Sequence, residues 1–229
     1  MDRTCRAEQA IAQSTVVVGY TRYLKLIEDL TAGKELLASG MRQETERCRA
    51  ALARARGGET VALISSGDPG IYGMAGLAIE LAATEAPSVP VEIIAGVSAA
   101  NATAARLGAA LMLDFATISL SDLLVPWETI RARLEAVAAA DLVVALYNPR
   151  SKKRVKQLEE AATIFRRHRP ETTPVGVGTA VGTAEERVIL TDLAHFLEVD
   201  IAMRSVVLIG NRTSRCLGGW FITPRGYQL

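Results

Sequence analysis

Apolar positions along this chain follow two alternating patterns. Short, near-continuous apolar runs occupy residues 15–19, 60–65, 91–95, 115–120, 142–147, 174–178, 186–191 and 205–209. Runs of that length, rich in β-branched residues, predict strands buried on both faces. Longer stretches between them read as helices, over 5–13, 32–37, 45–55, 73–83, 99–107, 127–139, 153–168 and 191–196. Regular exchange of strand and helix predicts an α/β fold built from right-handed βαβ units with largely parallel sheets. Residues 99–107 are rich in Ala, which suits tight packing against a sheet. The pattern breaks best at 111–115, after which a new strand and helix begin. Two α/β halves of ordinary domain size are therefore expected, 1–113 and 114–229. No Gly/Ser linker separates them and no internal repeat is visible. The halves are expected to pack closely, with a ligand cleft between them.

One loop is the most informative part of the chain. Ile64-Ser65-Ser66-Gly67-Asp68-Pro69-Gly70-Ile71-Tyr72-Gly73 leaves the strand at 60–65 and enters the helix at 73–83. Open α/β sheets bind small ligands at the carboxyl ends of their strands. Glycine there lets backbone approach a ligand, and Asp68 is placed to accept hydrogen bonds from that ligand or to cap the helix. A bare Gly-Asp-Pro-Gly turn is good turn chemistry for any purpose. The extended form Ser-Gly-Asp-Pro-x-Ile-Tyr-Gly is more specific.

Composition narrows the function classes. The 229 residues are 49% hydrophobic, enough for one large core or two smaller ones, and only 5% are aromatic. A net charge of +1 implies no general affinity for nucleic acid or an anionic membrane. Cys5, Cys48 and Cys216 are odd in number and far apart, which points to reduced thiols in a cytoplasm. With His168 and His195 as the only histidines, a His-based metal site is not expected. No apolar run approaches the roughly 20 residues of a membrane span. The first residues, Met1-Asp2-Arg3-Thr4-Cys5-Arg6, carry no signal-peptide core.

The 64–73 loop resembles the sulfonium-cofactor loop of the tetrapyrrole methyltransferases that build the corrin ring. Further segments resemble the same family, in order along nearly the whole chain. Val16-Val17-Val18-Gly19-Tyr20-Thr21-Arg22-Tyr23 is similar to the first substrate-side strand and loop. Ala95-Gly96-Val97-Ser98-Ala99-Ala100-Asn101 is similar to the Gly-Val-Ser-Ala cofactor turn. Asp114-Phe115-Ala116-Thr117-Ile118-Ser119-Leu120-Ser121-Asp122 looks like the domain-joining strand. Leu146-Tyr147-Asn148-Pro149-Arg150-Ser151 and Val181-Gly182-Thr183-Ala184-Glu185-Glu186 resemble two later cofactor segments. Val207-Leu208-Ile209-Gly210-Asn211 and then Thr223-Pro224-Arg225-Gly226-Tyr227 complete the series. The Tyr-Asn-Pro-Arg-Ser and Thr-Pro-Arg-Gly-Tyr elements point within the family to members that methylate C17 of a precorrin, or of its cobalt-containing counterpart, and contract the macrocycle.

The resemblance implies a class III methyltransferase-like fold, S-adenosylmethionine as cofactor, a small-molecule tetrapyrrole substrate and a cytoplasmic homodimer. It implies cofactor contacts from Ser66, Gly67, Asp68, Ile71, Ser98, Ala99, Tyr147, Asn148, Gly182 and Thr183. The residues themselves leave plainer roles open: turn geometry for Gly67 and Gly70, an N-cap for Ser98, a strand-to-helix turn capped by Ser151, and a short turn capped by Thr183. A precorrin carries many carboxylates, so its site should present cations. Tyr20, Arg22 and Arg150 are the candidate substrate contacts. Arg150, Lys152, Lys153 and Arg154 form the densest basic run, with Arg212 and Arg215 as another group. A solvated helix start accounts for the run equally well, although cations there oppose the helix dipole. Asp122 is placed as an acid–base group or a helix cap, and no catalyst of ring contraction is assigned.

One departure from the family pattern stands at the start of the chain. Family members usually begin with a strand and a Gly-x-Gly-Pro-Gly-Asp loop. Here Thr4-Cys5-Arg6-Ala7 resembles the helix that follows that loop, so the family's first strand is expected to be missing and its neighbours unpaired. Two rivals stay open. One is another enzyme of the family, acting on a different tetrapyrrole carbon, on rRNA or on a protein side chain. The other is a cofactor-binding remnant without catalysis.

Overall fold

The computed structural model describes residues 2–152 and 154–228. Lys153, part of the basic run, lies outside the described residues, as does Met1. By packing, the chain divides into two compact units, Met1–Ser98 and Ala99–Leu229.

The first unit begins with α1 (Cys5–Gln13), whose N-cap Thr4 accepts from the Ala7 N–H. It continues through β1 (Val16–Tyr20), α2 (Thr21–Lys25), β2 (Glu35–Ser39), α3 (Glu44–Arg56), β3 (Val61–Ile64) and α4 (Ala75–Glu85). All three strands run parallel in the order β2-β1-β3. β1 is the middle strand, and its Val-Val-Val-Gly run is buried throughout. Val17 packs with Ile11, Leu24 and Ile27 on one face, while Val16 and Val18 pack with Ala51 on the other. A third cluster joins α3 to α4 through Cys48, Leu52, Ala78 and Leu81.

Two expectations fail in this unit. Residues 32–37 do not form a helix; Glu35 to Ser39 pair with β1 instead, because a parallel partner outweighs local propensity. Residues 91–95 carry no strand, and Val91 and Ile93 stand 42% and 44% exposed. An apolar run without a ladder partner does not register as a strand, however strand-like its composition.

The second unit opens with α5 (Ala99–Leu107), β4 (Gly108–Ala109), β5 (Phe115–Ser119), α6 (Trp127–Ala139), β6 (Val143–Tyr147) and α7 (Lys156–Arg166). It closes with β7 (Pro174–Thr179), β8 (Arg187–Asp192), β9 (Ser205–Ile209), β10 (Arg215–Leu217) and β11 (Trp220–Ile222). Its main sheet has the order β5-β6-β9-β7-β8. The α/β class holds, and the first unit's sheet is parallel, but within this main sheet only β5 and β6 pair in parallel. β7 and β8 form a hairpin across a short turn, which forces an antiparallel pair. The helix expected at 191–196 is absent as well: β8 runs on to Asp192, and only one 3-10 turn follows, Phe196–Glu198. A small sheet, β10-β11-β4, was not foreseen from the pattern.

α6 and α7 cover one face of the main sheet through Ile130, Leu134, Leu158 and Phe165. α5 covers the other, through Ala100, Ala104 and Leu107 against Ala145, Val206 and Leu208. A Cβ on Gly176 or Gly178 of β7 would overlap Leu107 or Thr103, so these two glycines let α5 approach the sheet. That packing places α5 with the second unit, ahead of the expected break at 111–115.

Candidate active site

In the first unit the carboxyl ends of β1, β2 and β3 lie side by side because the sheet is parallel. Three segments leave the sheet there: Tyr20 to Tyr23, Ser39-Gly40, and the loop from Ser65 to Gly73. Arg47 of α3 ties them together. Its Nε donates to Ser39 Oγ at 2.6 Å, its Nη2 to Gly40 O at 2.7 Å, and its Nη1 approaches Met74 Sδ at 3.2 Å. Its guanidinium lies 6.0 Å from the centre of the Tyr20 ring, and Tyr20 meets Tyr23 edge-on at 5.2 Å. Arg47 is 4% exposed, yet no sequence pattern marks it, since a helical Arg ordinarily reads as surface. Burial pushes the Tyr23 phenol above its usual range. Arg22 is exposed.

The Ser65–Gly73 loop is shaped by its aspartate. Asp68 Oδ1 accepts from the Gly70 N–H at 2.8 Å, and Oδ2 from the Gly96 N–H at 3.0 Å. Asp68 therefore does not cap α4, whose N-cap is Met74 with no side-chain bond. It joins the two loops in which Ser66, Gly67, Ile71 and Ser98 were expected. Gly67 adopts φ +73°, and a Cβ on Gly96 would overlap the Gly67 carbonyl oxygen. Ser66 and Ile71 are exposed, and Ser98 is buried. Tyr72 holds φ +55°, a strained setting for a bulky residue.

In the second unit, β6 and β7 both pair antiparallel with β9, so they run the same way and end at the same edge. β6 stops at Tyr147 before Pro149, as expected. Tyr147 Oη accepts from the Ala100 N–H at 3.0 Å, at the start of α5 and beside Ala99. Asn148 has φ +49° and donates Nδ2 to Ser119 Oγ at 3.0 Å, at the end of β5. At the end of β7, Ala180 has φ +51°, Thr183 Oγ1 donates to Ala180 O at 2.8 Å, and Gly182 N–H donates to Glu186 Oε2 at 2.6 Å. That N–H, with Arg106, holds the Glu186 carboxyl below the usual carboxylate range. Non-glycine residues in left-handed conformation thus recur at the ends of β6 and β7 and in the loop after β3. Such strain concentrates where a backbone is shaped for a purpose.

The cationic candidates separate. Arg150 follows Asn148 at the β6 edge and lies 3.8 Å from Glu159. Arg154 is buried rather than solvated, and α7 starts only at Lys156 with Val155 as its N-cap. Ser151 caps a tight turn instead, its Oγ accepting from the Arg154 N–H at 3.1 Å. Asp122 caps no helix, since α6 starts after Pro126 with no side-chain cap. Arg212 pairs with Asp141, which precedes β6, and so belongs to the opposite end of that sheet. Among the described residues no cluster of metal ligands exists, and no helix is long and apolar enough to cross a membrane.

Residues 2–197 match the family described as Tetrapyrrole (Corrin/Porphyrin) Methylases. The chain belongs to the tetrapyrrole methylase family. It is 43% identical over 229 residues to the cobalt-factor III methyltransferase of Priestia megaterium, covering 98% of the chain but 42% of that protein. It is 44% identical over 226 residues to the probable cobalt-factor III C(17)-methyltransferase of Salmonella typhimurium, covering 99% and 94%. The chain thus spans less than half of the first relative and nearly all of the second. Its fold matches the crystal structure of the methyltransferase CobJ with a TM-score of 0.89 at 37% identity, over 96% and 93% of the two chains.

Proposed function

We propose that this chain transfers a methyl group from S-adenosylmethionine to C17 of cobalt-factor III, with contraction of the macrocycle. The observation that carries the reading is the 44% identity with the Salmonella protein, of which the chain spans 94%. Bound S-adenosylmethionine supplies an electrophilic methyl group on a sulfonium, so the protein's task is orientation more than nucleophilic attack.

The residues present fit such a cofactor. Gly67 bends the backbone at φ +73° and exposes it, as close approach to a ligand requires. Both carboxylate oxygens of Asp68 are taken by backbone N–H groups, so its part is to fix the shape of the two loops. Ser66, Gly67, Ile71, Ser98 and Ala99 offer backbone groups and small or apolar side chains. At the β6 and β7 edge of the second unit, Gly182 and Thr183 offer backbone groups, while Tyr147 and Asn148 offer an aromatic ring and a carboxamide. Tyr20, Arg22 and Arg150 are the proposed substrate contacts, with the two cations facing carboxylates of the macrocycle.

The proposal includes a soluble cytoplasmic homodimer without nucleic-acid or membrane partners. The near-neutral net charge supports the last part, because an rRNA-binding relative would favour a strongly basic face. Calorimetry with S-adenosylhomocysteine, followed by turnover assays on cobalt-factor III and on precorrin-3B, tests the reading. Donor-analogue binding and turnover of cobalt-factor III are expected. Binding without turnover of either substrate would favour the remnant reading.

A further inference from the structure

The loop that leaves β6 holds more hydrogen-bonding capacity than the protein uses. Arg154 is 9% exposed, and its Nη1 has no hydrogen-bond partner among the described residues. Its Nε lies 3.9 Å from Asp122 Oδ1, beyond hydrogen-bond range. Arg150 repeats the pattern, with a buried Nε that has no partner and an Nη2 3.8 Å from Glu159 Oε1. Gln157 donates Nε2 to Asp122 Oδ2 at 2.9 Å, yet its Oε1 is also buried and unpartnered.

Leaving a buried guanidinium N–H unpaired is costly, and folded chains avoid it unless something else pairs there. Burial accordingly pulls the Arg154 guanidinium below its usual range. The backbone is organised around the same groups. Ser151 N–H donates to Arg154 O at 2.9 Å, while Ser151 Oγ accepts from Arg154 N–H, closing a turn between the two arginines. Each guanidinium thus carries one buried nitrogen without a partner, Arg150 Nε and Arg154 Nη1, and meets an acid only at long range, which leaves donors of the kind a carboxylate accepts from.

We propose that Arg150 and Arg154 form a carboxylate-recognition subsite that fixes the orientation of the macrocycle, with Asp122 and Gln157 holding Arg154 in place. The inference rests on the tetrapyrrole reading, which supplies a substrate edged with carboxylates. It adds that specificity for one ring position is set in part from the β6 edge, by a pair anchored on one turn. No bond is made or broken at these residues. They are specificity residues.

The test compares wild-type protein with Arg150→Gln, Arg154→Gln and Arg154→Lys. Steady-state kinetics on cobalt-factor III and calorimetry with S-adenosylhomocysteine are the readouts. Each Gln variant is expected to raise the KM for cobalt-factor III about tenfold to a hundredfold, with a smaller effect on kcat and an unchanged donor-analogue Kd. Arg154→Lys keeps the charge but loses the fork, so its KM should fall between. Unchanged KM in both Gln variants overturns the proposal, and so does a loss of donor-analogue affinity equal to the rise in KM. If Arg154→Gln fails to fold, Arg150→Gln decides alone, since that side chain is 26% exposed. A wild-type protein that neither binds nor methylates cobalt-factor III removes the functional reading and this inference with it. A wild type that does both, while the variants keep its KM, removes this inference together with the Arg150 substrate contact and leaves the methyl transfer standing.

Discussion

Asp68 holds Gly96 at a distance of 28 positions in sequence: its Oδ2 accepts the Gly96 N–H at 3.0 Å, while Oδ1 accepts that of Gly70 at 2.8 Å. One carboxylate thus sets two loops that leave neighbouring parts of the first unit. Replacing it by Ala strips the acceptor from both N–H groups at once. Asp68→Ala should cost about 1–3 kcal/mol of stability, the range for leaving a donor without its acceptor. It should also weaken binding of S-adenosylhomocysteine. Urea denaturation and calorimetry on the same variant check both effects, and an unchanged affinity would detach this loop pair from donor binding.

Glycines in the same unit should respond in opposite directions. A Cβ on Gly96 would overlap the Gly67 carbonyl oxygen and lie 3.2 Å from Asp68 Cα, so the strain falls on backbone. Gly96→Ala should destabilise by about 1–3 kcal/mol, as overpacking does. Gly76 lies inside α4, and nothing comes within 4 Å of the place an alanine methyl would occupy there. Gly76→Ala should therefore stabilise by about 0.5–1 kcal/mol through helix propensity. Thermal melts of the two variants, run together, give the signs.

Much of this was legible in the sequence, for physical reasons that differ by element. β1 was clear because a central parallel strand must be apolar on both faces, as Val16, Val17 and Val18 are. β2 was not, because it is an edge strand with half-exposed positions and takes its form from β1. The antiparallel course of β7, β8 and β9 was also hidden, since strand direction is decided by tertiary connection rather than by composition. The loops with Asp68, Asn148 and Gly182 announced themselves through Gly, Pro and Asn at strand ends. Arg47 and the Tyr147–Ala100 contact gave no signal, because their partners are brought together only by the fold.

Stability should carry a small, signed pH dependence from His195. Its ring nitrogen lies 2.7 Å from Asp192 Oδ1, and that bond raises its pKa above the usual histidine value. A raised folded-state pKa stabilises the protonated form. The contribution is therefore present below the usual histidine value and is lost as pH rises through the raised one. His195→Gln should lower the melting temperature slightly at about pH 5 and leave it unchanged at about pH 8. Equal shifts at both values would contradict a charge-dependent pair.

The proposed methyl transfer to C17 is tested most directly on the product itself. The measurement is mass spectrometry and carbon NMR of the compound formed from cobalt-factor III and S-adenosylmethionine labelled in its methyl carbon. The expected product is heavier by one labelled methyl group, with the label on C17 of a contracted macrocycle. Recovery of unlabelled cobalt-factor III from folded, donor-binding protein, or a label on any other carbon, would contradict C17 methyl transfer.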